Sequence, residues 1–234
     1  MLKDKVSGTT RNRHSQRYSK GADTRRQLLE VAIIAFGESG YASVTTRQIA
    51  DTAGVALPAI QYYFGSKEGL YLACAEEIVG RYKTTTSETA QFAYTLLKRS
   101  VAPSEARDLL KRIFSGLTTL LVTSENSQLW ATFVAREIRE PGPAFEILFN
   151  NLWKPGTQLV AELVARAKGQ QQADEEATID ALLLIAALVP FQTGRPIATR
   201  TLKWRQIGDA QREKILAAIN RQIDRIAASK ASAA

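Results

Sequence analysis

From Leu28 onward the apolar residues Leu28, Leu29, Ala32, Ile33 and Phe36 return every three or four positions. That spacing lays one apolar stripe along a helix. Asp23 is placed to cap this helix, and Gly40 to end it in the left-handed conformation. Thr45 and Gln48 have the spacing of a capping box, which predicts a short helix through Ile49 and Ala50 that Gly54 stops. A second short helix is expected from Leu57 to Phe64, with Pro58 tolerated in its first turn, where a missing N–H leaves no intrahelical bond unmade. Ser66 then caps a longer helix carrying Leu70, Leu72, Ala73, Ile78 and Val79.

Helical spacing continues down the chain. One amphipathic segment covers residues 88–97, and another begins at Ser104 with Leu109, Leu110, Ile113, Leu117 and Leu121 on one face. A third covers residues 128–138, before the sequence PGP at Pro141 to Pro143. The next helix extends to Ala167, and Pro155 within it predicts a kink or break. Residues 175–189 are strongly apolar, TGRPIATRTLKW reads as an irregular crossing, and a last helix over 209–228 carries Ile215, Leu216, Ile219, Ile223 and Ile226 on one face. No stretch alternates with a strand period. The expected fold class is all-α, with a small N-terminal unit and a larger helical body.

Charge adds a partner class. The net charge is +8, and the first 26 residues hold eight cations (Lys3, Lys5, Arg11, Arg13, Arg17, Lys20, Arg25 and Arg26) against Asp4 and Asp23, a net +6. Few apolar residues accompany them, so residues 1–22 are expected to form a flexible basic arm that is not a secretory signal. Such a balance suits an anionic partner such as nucleic acid. The longest apolar run, over 181–189, falls well short of the ~20 residues that span a bilayer, so no membrane is expected. The single cysteine, Cys74, fits a reducing cytoplasm.

The composition also argues against an enzyme. The only histidine, His14, lies in the arm, and Cys74 has no histidine near it in sequence to activate it. No metal-ligand cluster, phosphate-binding glycine loop or nucleophile elbow occurs. Catalytic residues, metal ligands and cofactors are therefore expected to be absent.

The helix–Gly–helix piece over 45–64 has the form of a helix-turn-helix, whose second helix enters the major groove of DNA. The surrounding stretch FGESGYASVTTRQIADTAGVALPAIQYYFGSKEGLYLAC resembles the DNA-binding region of the TetR family of bacterial regulators, nearly continuously from Thr24 to Cys74. The shared points are the Phe-Gly-x-x-Gly-Tyr close of the first helix, the Thr-Thr opening of the second, the IAxxAGV turn and the Tyr-Tyr-Phe-x-x-Lys-Glu run. FVAREIREPGPAFEILF, the proline in the following helix and the GRPIATRTLKW linker are similar to the CecR-type subgroup.

The resemblance implies a three-helix helix-turn-helix DNA-binding domain over 23–70, a helical ligand-binding and dimerisation domain over 71–229, and a tail over 230–234. It places Thr45, Thr46 and Arg47 beside phosphates, Leu57, Pro58, Ala59, Gln61, Tyr62 and Tyr63 on the recognition helix, and Lys67 beside the backbone. Hydroxyls suit phosphate oxygens, and Gln61 suits an adenine edge. Ala59 or Leu57 suits a thymine methyl. Adjacent tyrosines diverge by about 100°, so at most one of Tyr62 and Tyr63 is easily buried beside Phe64. Arg25 and Arg26 read either as DNA contacts or as ordinary surface charges. The family's polar cap is replaced by Ala56, which leaves the recognition helix without an evident side-chain cap.

In the body, the interface candidates are Ile179, Leu182, Leu183, Ala186, Ile215, Ile219 and Ile223, on two helices that would form a four-helix bundle with a partner's pair. The effector-pocket candidates are Phe114, Trp130, Phe133, Arg136, Phe149 and Trp153. Core packing is the competing reading for both sets, and for Arg136 an ion pair with Glu137, Glu140 or a distant acid. The function expected is a homodimeric, cytoplasmic repressor that leaves a near-palindromic operator when a small-molecule inducer binds. An architectural or division-related DNA binder without inducer is the alternative.

Overall fold

The structure is a computed structural model that describes residues 8–123 and 127–229. Among the described residues every regular element is helical. The chain divides into two compact units, Met1–Cys74 and Ala75–Ala234.

The first unit contains α1 (Gly8–Ser43), α2 (Thr46–Thr52), α3 (Pro58–Phe64) and the start of α4 (Lys67–Leu97). Leu28, Leu29, Ala32, Ile33 and Phe36 of α1 are buried with Ile49 and Ala50 of α2, Ile60 of α3, and Leu70, Tyr71 and Cys74 of α4. Phe36 and Tyr71 meet edge to face at 4.9 Å. The amide of Gln27 donates to the Ala53 carbonyl at 2.9 Å, tying α1 to the end of α2.

Two expectations for α1 are corrected. The backbone is helical from Gly8, so the arm predicted over 1–22 is helix from residue 8, while residues 1–7 lie outside the described residues, as does the tail over 230–234. Asp23 is therefore not a cap but an interior residue, ion-paired with Arg26 at 3.2 Å. No proline interrupts residues 8–22, and extending a helix costs far less than starting one. Gly40 has the expected positive φ of 82°, but its ψ of 162° takes the chain out extended, a region open almost only to glycine.

The capping box of α2 is present: Thr45 Oγ1 accepts from the Gln48 amide at 3.2 Å, and the Thr45 amide donates to Gln48 Oε1 at 2.8 Å. Gly54 makes the turn at φ 63°. Pro58 is the first residue of α3, which has no side-chain cap.

α4 runs unbroken to Leu97, where two helices were expected. The hydroxyls of Thr84, Thr85 and Thr86 donate to the carbonyls of Gly80, Arg81 and Tyr82 at 2.9, 3.2 and 2.8 Å. Satisfied in this way, they do not divert the backbone from the helix.

The second unit adds α5 (Pro103–Thr118), α6 (Ser127–Arg139), α7 (Phe145–Leu148), α8 (Lys154–Ala167), α9 (Glu175–Ala186), α10 (Arg195–Thr201) and α11 (Asp209–Ala228). π-helical turns follow α5 and α7, over Thr119–Thr123 and Phe149–Trp153. The break predicted at Pro155 takes the form of the second π turn, with the proline in the first turn of α8. The expected irregular crossing contains α10, whose start Pro196 favours. Leu109, Leu110 and Phe114 of α5 are buried with Leu159, Leu163 and Val164 of α8 and Leu184 of α9.

Ile215, Ile219 and Ile223 of α11 belong to that core, at most 3% exposed. This corrects their expected place on an interface: the α11 stripe packs on α5, with further contacts to α8 and α9 of its own chain. α9 differs. Ala177, Ala181 and Leu184 face inward, whereas Ile179, Leu182, Leu183 and Ala186 are exposed. Asp174 caps it, accepting from the Ala177 amide at 2.8 Å, and that bond holds the Asp174 carboxyl below its usual range.

Candidate nucleic-acid interface

α3 is anchored by one buried side chain, Ile60. Around it Leu57, Pro58, Gln61 and Tyr62 are exposed, and Ala59 and Tyr63 are half-buried. The tyrosine pair divides as adjacent helix positions must: Tyr62 projects, 81% exposed, while Tyr63 turns back so that its hydroxyl lies 3.4 Å from where a Cβ on Gly21 would stand. Phe64 is half-buried with the Arg25 guanidinium 5.4 Å above its ring.

The flanking groups are held by neighbours. Thr45 is engaged with Gln48, and Thr46 beside it is half-buried. Arg47 is exposed and, among the described residues, has no ion-pair partner. Lys67 Nζ sits 4.6 Å over the Tyr41 ring and donates to the Ala42 carbonyl at 3.4 Å. This fixes the ammonium at the start of α4 and leaves further donors on it, since an ammonium carries three. The structure thus brings Leu57, Ala59, Gln61 and Tyr62 onto one short helix, with Arg47 and Lys67 on the helices either side. The arm's side chains before Gly21 lie outside the described residues.

The pocket candidates lie at different depths in the body. Phe114, Trp130 and Phe133 are buried core residues, Phe149 is 40% exposed, and Trp153 is half-buried. Phe145 stacks on Phe149 at 5.9 Å and meets Trp153 tilted at 5.4 Å, along the α7 helix and the π turn. Arg136 is ion-paired with Glu140 at 3.5 Å, one of the readings the sequence left open. Two surface grooves, of about 310 and 380 Å³, are lined by other residues, on α1 and α2 and on α9 and α11 respectively.

The sequence reading missed a polar cluster in the body. Tyr82 is buried, packs on Trp130 at 6.5 Å and hydrogen-bonds the Gln192 side chain; burial pushes its hydroxyl up to about 12. The Arg81 guanidinium lies 5.0 Å over Trp130 and pairs with Glu77 at 2.6 Å. Arg195 donates to the Val122 carbonyl and, with the Gln128 amide turned to satisfy both groups, to Gln128 at 2.9 and 2.8 Å. Burial lowers the Arg195 pKa. The available signal was the pair of polar residues, Gln192 and Arg195, beside an otherwise apolar run.

Comparison with known proteins covers both units. The family of bacterial regulatory proteins named for TetR matches residues 28–74, and the C-terminal domain of the HTH-type transcriptional dual regulator CecR matches residues 106–229. The CecR protein of Shigella flexneri is 30% identical over 212 residues, covering 88% of this chain and 92% of its own. A TetR-like transcriptional regulator from Rhodococcus sp. RHA1 shares the fold with a TM-score of 0.59 at 18% identity, over 88% of this chain and 97% of that one. AibR, solved with isovaleryl coenzyme A and operator DNA, does so with a TM-score of 0.58 at 16% identity, over 84% and 96%. A relative aligned over nearly its whole length, and family matches in both units, make the chain a member of the TetR family of bacterial transcriptional regulators.

Proposed function

We propose that this DNA-binding regulator, which is not an enzyme, is a homodimeric cytoplasmic repressor. Two protomers place α3 in successive major grooves of a near-palindromic operator, and a small-molecule effector bound in the body releases them. The observation that carries the reading is α3 itself. A helix that buries only Ile60 and exposes Leu57, Gln61 and Tyr62 contributes little to its own core and much to a partner.

Gln61 reads an adenine edge, Leu57 and Ala59 meet thymine methyls, and Tyr62, Thr46, Arg47 and Lys67 hold phosphates. The dimer forms through the exposed Ile179, Leu182, Leu183 and Ala186 of α9. The effector class follows by analogy from AibR, whose structure carries both an acyl-coenzyme A and operator DNA. In this chain the aromatic and arginine side chains near Trp130 and Arg136 are the candidates to meet the effector.

The test is fluorescence anisotropy on the DNA upstream of the gene, with single base-pair changes. Gln61→Ala is expected to relax preference at one base position by ~1–3 kcal/mol. Unchanged discrimination at every position would remove the base-reading role. A monomer in sedimentation at micromolar concentration would overturn the dimer.

A further inference from the structure

The exposed stripe of α9 is bracketed by opposite charges. Residues 170–180 contain four acids, Asp174, Glu175, Glu176 and Asp180, and no lysine or arginine. Residues 181–208 contain four cations, Arg195, Arg200, Lys203 and Arg205, and no acid; the next is Asp209. Between the two lies the apolar stripe Ile179, Leu182, Leu183 and Val189, each 49–59% exposed.

Several of these charges already have partners. Lys168 takes Glu176 and Asp180 at 2.7 Å each, Asp174 caps α9, and Arg195 is bonded to Val122 and Gln128. Glu175 on one side, and Arg200, Lys203 and Arg205 on the other, are exposed and have no ion pair among the described residues. Glu176 keeps 68% of its side chain in water.

The spacing is symmetric. At 1.5 Å per residue, Glu175 lies about 11 Å along the axis from the Leu182–Leu183 pair, and Val189 about 10 Å the other way. Beyond Phe191 the chain turns by 74° into α10, which packs back on the turn over Val189–Phe191, and Trp204 stacks on Phe191 at 6.3 Å, so that Lys203 and Arg205 beside it stay near that end of the stripe. A two-fold axis through Leu182–Leu183 therefore lays the acidic end of one copy on the basic end of the other, twice.

Building on the dimer proposed above, we infer that α9 docks antiparallel on α9 of a second copy. Glu175, helped by Glu176, closes a charged clasp onto Arg200, Lys203 and Arg205 at each end of the apolar stripe. A parallel pairing would set like charges together at both ends, so the clasps fix orientation as well as adding affinity.

The experiment mixes two full-length variants, Glu175→Lys and Arg200→Glu/Lys203→Glu, with composition read by native mass spectrometry and dimer strength by sedimentation. Each variant alone is expected to dimerise about 3- to 30-fold more weakly than the wild type. The mixture is expected to form heterodimers well above the statistical share, because both clasps are attractive again. The neutral variant Glu175→Gln, which changes no packing, is expected to make dimerisation less sensitive to salt. A wild-type dimer whose variants dimerise as well as it does, and mix statistically, overturns the clasp. A wild-type monomer overturns the dimer itself.

Discussion

Gly69 stands in the first turn of α4, and the end of α3 comes against it. A Cβ added there would lie 2.1 Å from the Phe64 carbonyl oxygen and 3.2 Å from its carbon. Both are backbone atoms, so no rotamer change relieves the contact. An ordinary approach needs roughly 1 Å more, and either α3 or the start of α4 has to supply it. Overpacking of this kind costs ~1–3 kcal/mol, while replacing a helical glycine by alanine returns up to ~1 kcal/mol. Gly69→Ala is therefore expected to destabilise by about 0–2 kcal/mol. Gly80 in the same helix is the control: it is exposed, and its added Cβ meets nothing within 4 Å. Gly80→Ala should gain up to ~1 kcal/mol, raising Tm by about 2–4 °C. A further consequence separates a stability effect from a reading effect. If α3 absorbs the ~1 Å, one bidentate base contact of ~1–3 kcal/mol is lost, and operator affinity falls about tenfold or more. Thermal unfolding followed by helical ellipticity gives the first quantity, and anisotropy on operator DNA the second. A Gly69→Ala protein as stable as Gly80→Ala, with unchanged DNA affinity, would refute the reasoning.

Two further predictions concern the body. The Tyr82 hydroxyl, raised by burial, stays protonated in the folded chain after it would ionise in the unfolded one. Its contribution to stability is full below pH 10 and is lost as pH rises toward 12, on the order of 2 kcal/mol. Tyr82→Phe should flatten that alkaline loss in urea titrations, and a profile that matches wild type would refute it. The Lys168 side chain is only 2% exposed; burial lowers its pKa, but the bonds to Asp180 and Glu176 outweigh this and raise it overall. The ammonium thus supports the fold until pH climbs through that raised value. Lys168→Met leaves two carboxylates facing each other, and should cost about 1–3 kcal/mol at neutral pH, less than a fully buried pair because Glu176 is mostly in water. No change in the unfolding midpoint would show that the cluster contributes nothing net.

The DNA-binding unit was legible because its signals are local. A capping box needs two residues three apart, a turn needs Gly54, and the stripe from Leu28 to Phe36 needs no partner to be recognised. The body was legible only as helices. The α9 and α11 stripes look alike in sequence, yet Ile219 is core and Leu182 is surface. Which stripe faces its own chain depends on α5 and α8, which lie far away in sequence. The break once expected in α4 and the loop once expected at α10 fail for a related reason. In α4 the threonine hydroxyls bond inside the helix, and at α10 the proline stands where a helix begins. The Arg136 ion pair was among the readings named, while the bond from Tyr82 to Gln192 joins residues more than a hundred positions apart and left no trace in the pattern.

The shallow anchoring of α3 has a consequence for how such a regulator changes its target. Only Ile60 on that helix is needed for the core, while the turns around it are set by glycines with positive φ, Gly54 at 63° and Gly65 at 74°. The helix is aimed by backbone geometry outside its own reading face. Leu57, Gln61 and Tyr62 can then be exchanged for other side chains with little loss of stability. With α3 reading the operator as proposed above, the vocabulary of the protein is separable from its grammar: a new operator can be acquired by rewriting a handful of surface positions, with the fold that presents them left as it is.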